Sequence, residues 1–245
     1  MKNIALLITC YCLSLVAYSQ EKPPPDSFTT EWICKVSWFL PTDQIDSATR
    51  SQYIEILLEY CQKLKEAKKN TKNNTRFLQK AFCQIHKDFL GDYSLNSPLA
   101  KTFQNKKFDC VASSALFALV LEYMGYTYQI HETATHAYIK IQTPKGDILL
   151  ETTNASEGFI KFPTEIIQLE QTYNSLLPRH NHVDFVPFNR IISLKELAGL
   201  QFYNQALAAM QDNNFNKGNV LLRKAKMLYY RSERVEKLMC LAGKL

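Results

Sequence analysis

The sequence predicts an α+β fold: helices, then a small antiparallel sheet, then helices again. Three observations predict it. Apolar residues recur at a helical period of about 3.6 before Gly91, alternate between Tyr126 and Thr153, and return to the helical period after Phe162. The run from Cys110 to Met124 is apolar nearly all round, as suits a helix in the middle of a domain. Thr143-Pro144-Lys145-Gly146 is a turn between two alternating segments, which predicts a hairpin. At 245 residues, 46% of them hydrophobic, the chain can fill one substantial core and carry a smaller appendage.

From the N-terminus, Lys2, the apolar run Ile4 to Val16 and the small residues of Ala17-Tyr18-Ser19 read as a cleavable export signal over residues 1–19. Pro23-Pro24-Pro25 then forms an extended tether. Cleavage implies a periplasmic or secreted protein. No other run is long and apolar enough for a span, so no stable membrane insertion is expected afterwards.

Between Ser47 and Lys69, Ile54, Leu57, Leu58, Cys61 and Leu64 mark an amphipathic helix with Asp46 or Ser47 as cap. Leu78, Phe82, Ile85 and Phe89 mark a second, ended by Gly91, with His86 at its boundary. Residues 20–92 are thus tether and N-terminal helices. Asn96 to Lys107 reads as a loop, Asp109 caps the central helix, and Gly125 stops it. Strand patterns follow at Tyr126–Ile130, Ala137–Ile141 and Ile148–Thr152, then a helix from Phe162 to Leu177 ended by Pro178. These elements make a core over residues 93–190. In residues 191–245, Phe202, Ala206, Phe215, Gly218, Leu222 and Ala225 have the large-and-small spacing of a tetratricopeptide-like helical hairpin. One such hairpin caps a core, or offers a surface to a protein partner.

Composition excludes several functions. The seven glycines include no G-x-G pair and no Gly-Lys-Ser/Thr, so the common nucleotide-binding loops are missing. Formal net charge is +6, or +5 once Lys2 is removed. The basic run Lys63 to Lys80 contains one aromatic residue, Phe77, and reads as a solvated helix end; no nucleic-acid partner is expected. Cys34, Cys61, Cys83, Cys110 and Cys240 remain after cleavage, an odd number without C-x-x-C. Cys61 and Cys83 fall on apolar helix faces as buried small hydrophobes, while the pairing of Cys34, Cys61, Cys83 and Cys240 stays open.

Cys110 stands apart because it begins a buried helix. The unpaired N–H groups and positive dipole end there favour thiolate over thiol and can hold an oxyanion, although Asp109 opposes the first effect. If the Thr143–Gly146 turn is as drawn, Lys140 pairs with Leu149 and Tyr138 with Glu151. His136 then shares a sheet face with Glu151, about 7–8 Å away along the diagonal. The carboxylate can hold one imidazole nitrogen and turn the other towards Cys110. Ala137, Ile139, Ile141, Ile148 and Leu150 take the opposite face.

Phe108-Asp109-Cys110, the helix up to Gly125, Thr135-His136-Ala137-Tyr138-Ile139 and Leu150-Glu151-Thr152-Thr153 resemble the core of the transglutaminase-like superfamily over about residues 108–159. The resemblance implies a papain-like fold with Cys110 as nucleophile, His136 as base and Glu151 as orienter, glutamate standing where aspartate is more usual. It also implies an oxyanion-hole amide shortly before the cysteine, for which Gln104, or its neighbour Asn105, is the candidate. Some bacterial members join this core to tetratricopeptide-type helices. Members include cross-linkers, peptidases and deglycosylases, so the resemblance implies a thiol-dependent hydrolase or acyltransferase on protein or cell-wall peptides. The alternative is an inactive, partner-binding module. No cofactor is expected. His131-Glu132-Thr133-Ala134-Thr135-His136 is one residue too long for a zincin motif, and His180 and His182 read as a surface pair.

Overall fold

A computed structural model describes residues 26–175 and 188–242. Asp26 caps α1 (Ser27–Phe39), which buries Trp32, Val36 and Phe39. Asp46 accepts from the Thr49 amide at 2.9 Å to begin α2 (Ser47–Lys69), and Asn73 caps α3 (Asn74–Phe89). The expected α2 and α3 are therefore present, with Tyr53, Leu57, Cys61, Phe77, Phe82 and Ile85 turned inward. Cys83, expected in the core, is exposed; the buried stripe of α3 passes through its neighbour Phe82. His86, expected at the helix boundary, is buried against Phe82 and Phe117, ring centroids 4.6 and 5.5 Å away.

The segment expected as a loop holds α4 (Leu99–Asn105). Pro98 fixes its entry, Leu99, Ala100 and Thr102 bury, and Lys106 ends it at φ 58°. Seven residues are too few for helical periodicity to show in the sequence. Asp109 then caps α5 (Cys110–Tyr123), accepting from the Ala112 amide at 2.7 Å, and Gly125 at φ +73° releases the chain. Every residue of α5 except Glu122 is buried.

The sheet runs β4 (Phe159–Ile160), β3 (Ile148–Leu150), β2 (Ala137–Ile141), β1 (Tyr128–Thr133), β5 (Asn189–Ile192), with antiparallel neighbours throughout. Lys140 pairs with Leu149 and Ile139 with Leu150, the register expected from the turn. β4 and β5 escape the sequence reading because two and four residues give alternation no room. Ala137, Ile139, Ile141, Ile148 and Leu150 join the main core with α5. Tyr138 and Leu149, on the other face, pack with Ile166 of α6 (Pro163–Ser175).

A capping box of Ser193 and Glu196 opens α7 (Leu194–Gln211), followed by α8 (Phe215–Leu228) and α9 (Glu233–Ala242). α7 and α8 pack closely because small residues stand at their crossing. A Cβ on Gly199 would lie 2.7 Å from that of Tyr229. Leu197, Ala198, Phe202, Ala206, Leu222 and Ala225 belong to the same core cluster as α5. The expected boundary after residue 190 thus falls inside β5, and the C-terminal helices are built into the core. No described helix is long and apolar enough to cross a membrane. The export signal and tether, the Pro178 stop, and His180 and His182 lie outside the described residues.

Candidate active site

Cys110, His136 and Glu151 come together from three separate elements. Cys110 is the first residue of α5, where its amide has no intrahelical acceptor. His136 ends the link from β1 and directly precedes β2, whose alternation fixes where its ring points. Glu151 directly follows β3. His136 Nε2 lies 2.8 Å from Glu151 Oε2. The Cys110 thiol is also within hydrogen-bonding reach of the ring, and with Nε2 engaged by the carboxylate Nδ1 remains for it.

The electrostatics of the pair follow from this geometry. Burial alone pushes the His136 imidazole down, but its hydrogen bonds to Cys110 and Glu151 outweigh burial and hold it above its ordinary 6.5. Burial pushes the Glu151 carboxyl up, but the bond and charge of His136 together with the bonds from Thr153 and Tyr173 outweigh that and hold it well below 4.5. The site is therefore set as imidazolium and carboxylate at neutral pH. Asp109 is pushed up to about 6 by burial, against the bonds from Ala112, Asn204 and Val111 that lower it.

Three participants have no sequence signal of their own. Tyr173 of α6 donates its hydroxyl to Glu151 Oε2 and lays its ring 4.7 Å from that of His136. Thr153 donates its amide and hydroxyl to Oε1. Tyr93, paired as an isolated bridge with Phe108, brings its hydroxyl within hydrogen-bonding reach of Cys110; burial and then the thiol hold its phenol up, so it carries its proton at neutral pH. Long separations along the chain (80 residues from Tyr93 to Tyr173) hide these partners from a pattern reading.

Gln104 is not brought to the site. It is exposed on α4, and neither it nor Asn105 lines the cleft; the Asn105 side chain instead accepts from the Lys107 amide. A helix where a loop was expected points it outwards. The donors beside the sulfur are the Cys110 amide and the Tyr93 hydroxyl.

The run His131–His136 does not converge on a common point. His131 Nδ1 bonds Asn189 at 3.0 Å, and its ring stacks on Tyr138. Glu132 is fully buried between Arg190 and Arg234, whose Nε atoms stand 3.1 and 3.2 Å from its oxygens, with the Tyr229 hydroxyl donating at 2.5 Å. The Nε atoms lie off the hydrogen-bond direction, so attraction there is mainly coulombic. Arg234 also donates to the Thr133 and Ala134 carbonyls, which anchors the link carrying His136 to α9. Among the described residues, no group of His, Cys, Asp and Glu is placed to hold a metal ion.

Cys110 and His136 open into a cleft of about 390 Å³. The Tyr93–Asn96 segment forms one wall and α7 with α9 the other. The size suits a peptide side chain and its flanking backbone. The chain matches no family model, no curated protein and no solved structure.

Proposed function

We propose that this protein is an exported cysteine-nucleophile amide hydrolase or acyltransferase, built on the papain-like pattern of the transglutaminase-like superfamily and acting on protein or cell-wall peptides. The observation that carries the reading is His136 bonded to Glu151 with the Cys110 thiol beside its ring, at the start of a buried helix and the floor of an open cleft. A structural cysteine needs none of these.

In this reading the Cys110 thiolate, paired with the His136 imidazolium, attacks an amide carbonyl. A C–S bond forms and the carbonyl electron pair moves to oxygen, where the Cys110 amide and the Tyr93 hydroxyl donate. On collapse the C–N bond breaks, and His136 gives its proton to the departing amine. Neutral His136 then takes a proton from water or from an acceptor amine, which attacks the thioester and frees the thiol. Glu151, fixed by Thr153 and Tyr173, keeps the imidazole oriented throughout. Export rests on the Lys2–Ser19 signal pattern, and mass spectrometry of the native protein should find Gln20 at the N-terminus.

Incubation with p-nitrophenyl acetate tests the chemistry without a known substrate. The expected result is an acetyl thioester on the Cys110 peptide with stoichiometric p-nitrophenolate release, reduced at least about 100-fold in His136→Ala. Acetylation of Cys110 no faster than that of exposed Cys34 would leave a partner-binding module as the better reading.

A further inference from the structure

The two walls of the cleft say which peptides reach the thiol. Cys110 lies at the floor beside Val111 and Ala134, while Tyr93 and Leu95 face Leu200, Leu207, Leu238 and Leu241. Leu95 is 75% exposed and Leu241 41% exposed, on segments far apart in the chain that meet at this one cleft. An exposed leucine contributes little to the core, and two at the mouth of a nucleophile's cleft, one on a loop and one on α9, extend its apolar lining outward. Asn96, at φ 60°, makes the left-handed turn just after Leu95, a conformation that asparagine tolerates better than most residues.

The charges on the walls are largely committed to the protein itself. Asp109 accepts from the Ala112 amide and from Asn204. Arg234 is held by Glu132 and two backbone carbonyls. Lys237, exposed on the α9 wall, lines the cleft too and has an interaction of its own within the protein. A side chain entering between the walls meets mainly leucine methyls and tyrosine rings, with Asn96, Thr135 and Gln211 as neutral polar neighbours, and a charged one would give up hydration to groups already engaged within the protein.

We propose that the cleft selects polypeptide segments with a bulky aliphatic or aromatic residue beside the scissile amide, and discriminates against short peptides of alanine and acidic residues. This rests on the thiol-enzyme reading above. It narrows the substrate class to apolar stretches of protein, since wall-type peptides rich in alanine and carboxylates would leave the leucines in water. The C-terminal helices are then the specificity wall of the site, supplied by α7 and α9.

The test uses the whole protein and three affinity labels: acetyl-Phe-Leu, acetyl-Ala-Ala and acetyl-Ala-Glu chloromethyl ketones. Iodoacetamide, which has no side chain to recognise, serves as the reference for each variant. Relative to iodoacetamide, the Phe-Leu label should modify Cys110 at least about tenfold faster than the Ala-Ala label, and the Ala-Glu label should be slowest. Leu95→Asp and Leu241→Asp change exposed positions and should fold. Each should shrink the ratio of Phe-Leu to Ala-Ala labelling towards one. If Cys110 shows His136-dependent alkylation by iodoacetamide yet takes the three labels at equal rates, or prefers Ala-Glu, the proposed selectivity is overturned and the thiol-enzyme reading survives. If iodoacetamide itself shows no dependence on His136, the enzyme reading fails and this inference falls with it.

Discussion

Four donors converge on the Glu151 carboxylate: the His136 ring, the Tyr173 hydroxyl, and the Thr153 amide and hydroxyl. The stability this gives depends on pH in a calculable direction. His136 is held above 6.5, so its contribution is complete below that value and is lost as pH rises through the raised one. Glu151 is held below 4.5, so its contribution is complete above that value and is lost as pH falls through the depressed one. Wild type should therefore exceed Glu151→Gln in thermal stability most clearly between pH 4.5 and 6.5, with the gap closing on either side. Melting curves across pH would show this, and a gap independent of pH would refute the ion pair. Asp109 adds a second residue-level effect. Its carboxyl, pushed up to about 6 by burial, is mostly ionised at pH 7 beside Cys110. Asparagine caps helices equally well, so Asp109→Asn should keep α5 and speed Cys110 alkylation at pH 7 by up to about tenfold, with little change at pH 5. The sequence shows Cys110, His136 and Glu151 because a helix start, a strand's alternation and a turn's register are all local. Tyr93 and Tyr173 are invisible there, since only the packing of distant segments brings their hydroxyls to the site.

Among the elements, the turn from β3 to β4 and the helix α9 do most to position the site. Gly158 donates its amide to the Asn154 carbonyl and accepts from the Glu151 amide, closing the loop that carries the carboxylate. A Cβ there would meet the Glu151 carbonyl oxygen at 2.2 Å and that of Asn154 at 2.3 Å, so Gly158→Ala must move backbone. It should cost about 1–3 kcal/mol by chemical denaturation and slow Cys110 alkylation, because Glu151 moves with the loop. Unchanged alkylation in a folded Gly158→Ala protein would contradict that coupling. Arg234 works from the other side, pairing with Glu132 and gripping the carbonyls of Thr133 and Ala134. Arg234→Met should destabilise by no more than the ~3–5 kcal/mol usual for breaking a buried pair, since Arg190 and Tyr229 still hold the carboxylate. The Thr143–Gly146 hairpin and its register were readable because turn residues and alternation agree. α4, β4 and β5 were not, being seven, two and four residues long.

At the scale of the whole molecule, one core reaches from Trp32 in α1 through α5 to Val235 in α9. Helical periodicity identifies the C-terminal residues as helices but is silent on what they pack against, which is why they read as an appendage. Their apolar faces complete the core under α5, and their outer edges wall the cleft. A chain ending at Ile192 should therefore lose cooperative unfolding and aggregate, and a soluble, cooperatively melting product would show the helices to be dispensable. In the proposed function Cys110 and His136 act as a unit. The most direct measurement of this is the pH dependence of iodoacetamide alkylation at the Cys110 peptide, resolved by mass spectrometry in wild type and in folded His136→Ala. Exposed Cys34, Cys83 and Cys240 serve as internal references, and buried Cys61, its thiol held up by burial, should stay unreacted. Wild-type Cys110 should outpace all three references at about pH 6–7, where ordinary thiols are largely protonated, and His136→Ala should abolish the advantage. Cys110 alkylated at the references' rate, with the same pH profile in both proteins, would show that the thiol and the imidazole do not act together.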